Sequence, residues 1–210
     1  GSQATLNISG SATLRSRADH FRVAQTGGSV GNVTMSGGTV FVGNELWVGE
    51  SGTGNWTQTG GDVWSTNWVA IGRNNGGTGV YTISGGSLTE LIPGSRMIVG
   101  SSGTGTLNVS GTAQVRSLGS FQVAENGSSV GTVNLDGGTI TAPRVMGGAG
   151  FGTFNFNGGT LVAANGAQQD FMSGITTVNV KAGGAKINTG TNVVNVSQAL
   201  LDGSGDGGLT

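Results

Sequence analysis

The sequence predicts an all-β chain folded as a parallel β-helix, with three short strands per rung and about seven to eight rungs. The first observation is a repeated unit, clearest in the segment Gly-Thr-Leu-Asn-Val-Ser-Gly at residues 105–111. The second is strict alternation of apolar and polar residues within each copy, which is the pattern of a strand with one buried face. The third is the lack of any helical period. Copies of the unit begin at Gln3, Gly31, Gly54, Gly79, Gly105, Gly131 and Gly152.

The first strand of each unit supplies two apolar columns that we expect to face inward. Columns of the same kind should stack rung on rung, because a single rung cannot bury its own apolar face. Asn or Thr lies between the two columns, and we expect these residues to face outward and the Asn amides to hydrogen-bond along the axis. The first column contains Leu6, Val33, Trp56, Tyr81, Leu107, Val133 and Phe154, and the second contains Ile8, Met35, Gln58, Ile83, Val109, Leu135 and Phe156.

Two further strands complete the predicted rung. A glycine turn follows the first strand, since glycine tolerates the positive φ that such turns require. One apolar residue then marks a second strand, and a variable connection leads to a third. The second strands are marked by Leu14, Val40, Val63, Leu88, Val115, Ile140 and Leu161. The third strands begin at Phe21, Leu46, Val69, Met97 and Phe121, with a degenerate copy at residues 144–147.

An antiparallel β-sandwich is the alternative fold, because short strands with regular turns also suit it. The in-phase repetition of the columns favours the β-helix, and a rung spacing of about 4.8 Å predicts a rod about 35–40 Å long. Residues 1–174 are predicted to form the rungs, with Gly1 and Ser2 as a tag remnant. Residues 175–210 are predicted to form a degenerate last rung or cap and the start of a linker to a further repeat.

Composition excludes several functional classes. The chain has 210 residues, of which 44 are glycine and only two are proline, so it is not collagen. Charged residues make up 9% and the net charge is −1, so no electrostatic attraction to nucleic acid is expected. There is no cysteine, which excludes disulfides and thiolate metal sites. No apolar run is long enough for membrane insertion, and we predict no metal and no cofactor.

The repeats and the tail of the chain resemble bacterial autotransporter-type surface proteins. The resemblance rests on the repeated units, on Lys-Ala-Gly-Gly-Ala-Lys-Ile at residues 181–187, and on Gly-Asp-Gly-Gly-Leu-Thr at residues 205–210. In that family, a Gly-Gly-Leu-Thr stretch introduces the passenger-associated β-strand repeat. The resemblance implies a secreted β-solenoid, extracellular or on the bacterial surface and tethered to further domains. It implies no particular activity.

All four tryptophans lie in two successive predicted rungs. Trp56 belongs to an inward column and is predicted to be core. Trp47 and Trp64 alternate with inward residues and are predicted to face outward, and Trp68 falls at a corner before a third strand. Phe41 holds the column of Trp64 one rung earlier. Grouped exposed aromatics mark a binding surface, so these residues predict one.

A flat polar surface with aromatic rings suits a sugar chain, because sugar C–H faces stack on rings while polar side chains bind hydroxyls. The predicted ligand-binding residues are Trp47, Trp64, Trp68, Phe41, Asn44, Glu45, Asp62, Asn67 and Arg73. We therefore predict a non-catalytic carbohydrate-binding module for an extended β-linked polysaccharide such as xylan or cellulose. In the alternative interpretation, the aromatics shield a corner or contact another domain, in a structural stalk or adhesin segment.

The sequence predicts no catalytic residues. The only histidine, His20, follows Asp19, and residues adjacent in sequence rarely converge as a catalytic pair, so His20 is predicted to lie in a surface loop. Glu45, Glu50 and Asp62 are near one another in sequence, but each is predicted at a turn or corner. A glycosidase needs two carboxyl groups facing each other across a bond. Ice binding would require a more regular Thr array than this chain contains.

Overall fold

The computed structural model, which describes residues 1–164 and 166–203, is an all-β parallel solenoid. Each rung contributes one strand to each of three sheets, and strands that are neighbours within a sheet come from successive rungs. The strand pairs are parallel throughout the described chain, as between the first two rungs. The predicted parallel β-helix is thus confirmed, and the antiparallel sandwich is excluded.

The strands of each sheet follow one another rung by rung. The first sheet contains β1 (Gln3–Ile8), β4 (Val30–Met35), β7 (Thr53–Gln58), β10 (Thr78–Ile83), β13 (Thr104–Val109), β16 (Val130–Leu135), β19 (Phe151–Phe156), β22 (Thr177–Val180) and β25 (Leu201–Asp202). The second contains β2 (Thr13–Ser16), β5 (Thr39–Val42), β8 (Asp62–Ser65), β11 (Ser87–Glu90), β14 (Gln114–Ser117), β17 (Thr139–Ala142), β20 (Thr160–Ala163) and β23 (Lys186–Asn188). The third contains β3 (Phe21–Val23), β6 (Leu46–Val48), β9 (Val69–Ile71), β12 (Arg96–Val99), β15 (Ser120–Val123), β18 (Val145–Gly147), β21 (Asp170–Ser173) and β24 (Asn195–Ser197).

The two inward columns predicted for the first strands are in register in the first sheet. Trp56 pairs with Tyr81 one rung later, and Gln58 pairs with Ile83. Every member of both columns is buried except Leu6, which is partly buried in the first rung. Because burial of apolar surface contributes about 25 cal/mol per Å², these continuous columns are the main source of cohesion between rungs.

A third inward column of the first sheet consists of glycines after Ala4 and was not predicted. Its members are Gly31, Gly54, Gly79, Gly105, Gly131 and Gly152. A Cβ atom on Gly105 would lie 2.2 Å from the carbonyl oxygen of Ile71 and 2.4 Å from the backbone nitrogen of Gly100. The first and third sheets therefore approach each other at their shared corner so closely that only a hydrogen atom fits.

An amide ladder runs along the outer surface of the first sheet, as predicted. Asn134 donates a hydrogen bond from Nδ2 to Oδ1 of Asn108, at 2.8 Å. Asn155 donates to Asn134, and Asn179 donates to Asn155, each at 2.8 Å. Asn108 in turn donates to Oγ1 of Thr82, at 3.1 Å. These bonds join five successive rungs through side chains, in addition to the backbone pairing.

The last rungs are less regular than the first ones. Val145 pairs with Phe121 in β15, so the degenerate third strand keeps its register. One rung later the pairing of β21 with β24 shifts between Asp170 and Met172. Val193 and Leu201 are exposed in the final rung.

Residues 205–210, which carry part of the resemblance, lie outside the described residues. The described chain contains no helix long and apolar enough to cross a membrane.

Candidate functional site

The nine predicted ligand-binding residues lie in two neighbouring rungs, on the second sheet, on the third sheet and in the connections that flank the third-sheet strands. Phe41, Asp62 and Trp64 belong to second-sheet strands, and Trp47 belongs to the third sheet. The remaining residues lie in the connections that flank the third-sheet strands: Asn44, Glu45, Asn67, Trp68 and Arg73. The structure thus distributes the nine residues over two sheets and the connections that flank the third sheet, and it divides the aromatic residues between the two sheets.

Trp64 is the exposed ring of this group, with 37% of its surface accessible. It alternates with the buried residues Val63 and Ser65, which confirms its predicted outward direction. Phe41 pairs with it one rung earlier and is partly buried. Within the described residues, no other ring and no guanidinium lies against the Trp64 ring. Its ring is therefore free to stack on a ligand.

Trp64 belongs to an outward column that runs the length of the second sheet, here called the Trp64 column. Its members pair in register from rung to rung, and the column mixes cationic, aromatic and hydroxyl side chains. They are Arg15, Phe41, Trp64, Thr89, Arg116, Thr141, Val162 and Asn188. A parallel polar column lies beside it and contains Thr39, Asp62, Ser87 and Gln114. Asp62 in that column accepts a hydrogen bond from the Ser87 hydroxyl at 2.6 Å.

Trp47 also points outward, but neighbouring side chains cover its ring. The His20 ring stacks on it with centroids 4.1 Å apart. The guanidinium carbons of Arg22 and Arg73 lie 5.1 and 5.3 Å from its centroid. Its Nε1 donates a hydrogen bond to Glu45 at 2.7 Å. His20 thus lies in the predicted loop but packs on Trp47, and Trp47 is partly buried instead of forming an open platform.

Trp68 continues this covering layer at the predicted corner. The guanidinium carbon of Arg96 lies 4.3 Å from its ring centroid, and that of Arg73 lies 5.7 Å away. Cation–π contacts of this kind contribute about 0.5–1 kcal/mol each at exposed sites. Ala70 and Ile98 belong to the outward-facing column of the third sheet, yet both side chains are completely buried. The rings and guanidinium groups therefore act as an outer layer that shields apolar residues of this sheet.

The charges of this layer face one another. Nε of Arg22 lies 3.6 Å from Oε2 of Glu50, and Nδ1 of His20 lies 4.0 Å from Oε2 of Glu45. Burial raises the pKa of the Glu50 carboxyl above its ordinary value, while Arg22, His20 and Arg73 oppose that shift. The layer is thus a partly desolvated cluster whose positive and negative groups compensate one another.

The two predicted asparagines bond to each other at the corner. Asn67 donates from Nδ2 to Oδ1 of Asn44 at 3.3 Å, and Ser95 donates to Oδ1 of Asn67 at 3.1 Å. A primary amide has two donor hydrogens and two acceptor lone pairs, so each amide keeps unused hydrogen-bonding capacity. These side chains are held in place while still able to bind a hydroxyl.

Sequence reasoning missed a groove of about 510 Å³ farther along the second sheet. Arg116, Thr141 and Val162 of the Trp64 column lie among its lining residues. The other lining residues come mainly from the connections between the second and third sheets: Pro93, Leu118, Pro143, Ala163, Ala164 and Gly166. The long connection at residues 91–95 was the available indication in the sequence, because its additional residues must project beyond the sheet.

Glu90 is a second feature that sequence reasoning missed. It is completely buried at the end of β11, where period-two alternation from Leu88 points it inward. Its Oε1 accepts a hydrogen bond from the backbone nitrogen of Ile92 at 2.6 Å. Its Oε2 accepts from the Ser117 hydroxyl and from the backbone nitrogen of Gly119, each at 3.0 Å. Glu90 therefore anchors the connection that carries Pro93, one border of the groove.

Gln58 and Tyr81 form a polar pair inside the core. The Tyr81 hydroxyl donates to Oε1 of Gln58 at 2.6 Å, and burial raises the pKa of that phenol well above its ordinary value. Nε2 of Gln58 donates to the carbonyl oxygens of Gly61 and Ser87. Because the pair is satisfied internally and fully buried, its role is structural.

The described residues contain no group of three or more His, Cys, Asp or Glu side chains placed to hold a metal ion.

In comparisons with known proteins, no family model, no curated protein and no solved structure matches the chain. Function must therefore be inferred from the fold and from the chemistry of its surfaces.

Proposed function

We propose that this chain is a non-catalytic carbohydrate-binding module that holds an extended polysaccharide against the outer surface of its second sheet. The observation that carries the proposal is Trp64, a tryptophan ring that is 37% exposed and without ring or guanidinium contacts among the described residues. A large exposed aromatic side chain on a strand often marks a binding site. A sugar ring offers the matching apolar face.

The surroundings of Trp64 fit a polymer better than a single sugar. The two outward columns of the second sheet present a side chain at every rung, about every 4.8 Å. That spacing is of the order of one sugar unit, so a chain lying along the axis meets successive polar groups. Thr39, Asp62, Ser87 and Gln114 are the neighbours that would hydrogen-bond ring hydroxyls.

Trp47 and Trp68 should contribute less to ligand binding than Trp64, because neighbouring side chains cover their rings. Arginine side chains lie over both rings, and His20 stacks on Trp47. Asn44 and Asn67 at the corner keep hydrogen-bonding capacity for a ligand that extends across the corner from Trp64. Trp64 is accordingly the residue on which affinity should depend most.

Affinity electrophoresis in gels containing soluble xylan or β-glucan, with a pull-down on insoluble cellulose, tests the proposal. We expect at least one of these β-linked glycans to retard the parent chain. Trp64→Ala should weaken binding by on the order of 30-fold, as loss of a binding hot spot does, while the circular dichroism spectrum shows that the β-fold is retained. Trp47→Ala is the matched comparison and should lower the melting temperature while binding persists. The proposal fails if no glycan binds, or if Trp64→Ala binds as tightly as the parent.

A structural stalk or adhesin segment is the second candidate, and the side-chain ladder that joins five rungs from Thr82 to Asn179 supports it. Such a ladder, added to backbone pairing, suits a stiff spacer. We also propose a secreted or cell-surface location, in line with the resemblance to autotransporter-type proteins. Sedimentation analysis distinguishes this candidate, because self-association that is lost in Trp64→Ala would favour an adhesin over a sugar-binding module.

A further inference from the structure

The charged side chains of this chain are distributed unevenly between its surfaces. Among described residues, the side-chain ion pairs all lie on or next to the third sheet. They join His20 with Glu45, Arg22 with Asp19 and Glu50, Arg96 with Glu125, and Arg144 with Asp170. That surface is internally compensated and offers little net charge to a ligand.

The outer surface of the second sheet has the opposite character. Arg15 and Arg116 belong to the Trp64 column, and Arg17 follows the end of β2. All three are exposed, and in the described part of the chain none of them pairs with a carboxylate. Asp62 is the one outward carboxylate on these strands. The surface that carries Trp64 is therefore cationic, although the whole chain has a net charge of −1.

Among the three arginines of this surface, Arg116 is the one that lines the groove. It lines the groove of about 510 Å³, next to apolar groups from Pro93, Leu118 and Pro143. Because Arg116 is exposed, its interaction with a charged ligand remains screened by water and is modest in size. A guanidinium group also has the planar donor geometry that matches a carboxylate at two points. The groove volume lies within the usual range of small-molecule sites.

The spacing along the column relates this groove to Trp64. Trp64 pairs with Thr89 and Thr89 with Arg116, so two rungs separate the ring from the guanidinium. Two rungs correspond to about 10 Å along the axis. A sugar chain stacked on Trp64 and running along the column therefore reaches Arg116 after about two units.

We infer that the ligand of this surface is an acidic polysaccharide, in which a sugar ring stacks on Trp64 and a carboxylate borne by a nearby sugar unit pairs with Arg116. The inference rests on the proposed carbohydrate-binding function and narrows its ligand to chains that contain uronic acids. Arg15, two rungs from Trp64 in the other direction, extends the cationic column toward the first rung.

A xylan that carries glucuronic acid side groups is the probe, compared with the same xylan after its carboxyl groups are reduced to alcohols. Dissociation constants are measured at about 0.02 M and about 0.5 M salt, because salt screens exposed charges. We expect the parent chain to prefer the acidic xylan roughly two- to fivefold at low salt, and this preference to shrink at high salt. Arg116→Gln should remove the preference while leaving affinity for the reduced xylan intact.

Lys181→Gln is the control, because it changes the net charge equally at the end of a first-sheet strand and should keep the preference. Equal affinity of the parent for both xylans, with both lost in Trp64→Ala, would overturn the acidic ligand but leave sugar binding in place. Failure to bind either xylan, cellulose or β-glucan would overturn the proposed function itself. Tighter binding of a sulfated dextran than of the acidic xylan would overturn the assignment to carboxylates.

Discussion

Replacing Glu90 by glutamine tests whether one buried carboxylate holds the connection that borders the groove. The two oxygens of Glu90 accept three hydrogen bonds, from the backbone nitrogens of Ile92 and Gly119 and from the Ser117 hydroxyl. The side chain is completely buried, so water cannot replace any of these bonds. Glutamine has nearly the same shape but only one acceptor oxygen.

The expected cost of Glu90→Gln follows from these contacts. In either orientation the amide nitrogen faces one of the two backbone nitrogens, and that N–H group loses its acceptor. An unsatisfied buried donor costs about 1–3 kcal/mol, and the remaining bonds weaken because the acceptor is no longer charged. We expect a loss of about 2–4 kcal/mol in the free energy of unfolding. The Ser117 hydroxyl is less sensitive, because its single hydrogen can be donated instead to the carbonyl oxygen of Gly119 at 3.1 Å.

Guanidinium chloride unfolding, followed by tryptophan fluorescence and by circular dichroism, measures this loss as a shift of the midpoint. Asp136→Asn is the matched control, because it makes the same chemical change in an exposed turn where the carboxylate accepts one bond from Asn157. We expect that control to change stability by less than about 0.5 kcal/mol. An unchanged midpoint in Glu90→Gln would refute the assignment of Glu90 as an anchor.

Three further changes test the packing, the ladder and the charged layer. Gly105→Ala should destabilise by about 3 kcal/mol, because its Cβ would meet backbone atoms at 2.2 and 2.4 Å, whereas Gly127→Ala, with open space, should be neutral in the same unfolding assay. Asn134→Ala removes two ladder bonds and should cost about 1–2 kcal/mol, against about 0.5 kcal/mol for Thr132→Ala. The raised pKa of Glu50 makes its contribution to stability fully present below about pH 4.5 and lost as the pH rises through the folded-state pKa. Melting temperatures across this range should therefore fall in the parent relative to Glu50→Gln, and a constant difference would contradict the shift.

The sequence was sufficient to predict which residues of the first sheet face inward. Leu107 and Val109 alternate with Asn108 over a short distance, and a strand turns successive side chains to opposite faces. Repetition of the same pattern then places like residues in register, as the pairing of Tyr81 with Leu107 confirms. This information is local, and it remains valid whatever the rest of the chain does.

Trp47 and Trp64 show that the local sequence pattern predicts the direction of a side chain but not its exposure. Both are flanked by buried residues and were predicted to face outward in the same way. Trp64 is exposed, whereas Trp47 lies beneath His20 and the guanidinium groups of Arg22 and Arg73. These covering groups come from the rung before and the rung after, so the exposure of an outward side chain depends on neighbours distant in sequence.

By itself, the sequence determined the repeat, the three strands per rung, the inward columns and the amide ladder, because alternation and periodicity act within one rung or between identical positions of successive rungs. Only the tertiary structure decided which outward rings are free, where the groove forms, why one column must be glycine, and that Glu90 is buried. Each of these depends on the distance between sheets or on the path of an irregular connection, and such distances arise only when the rungs close around a common core.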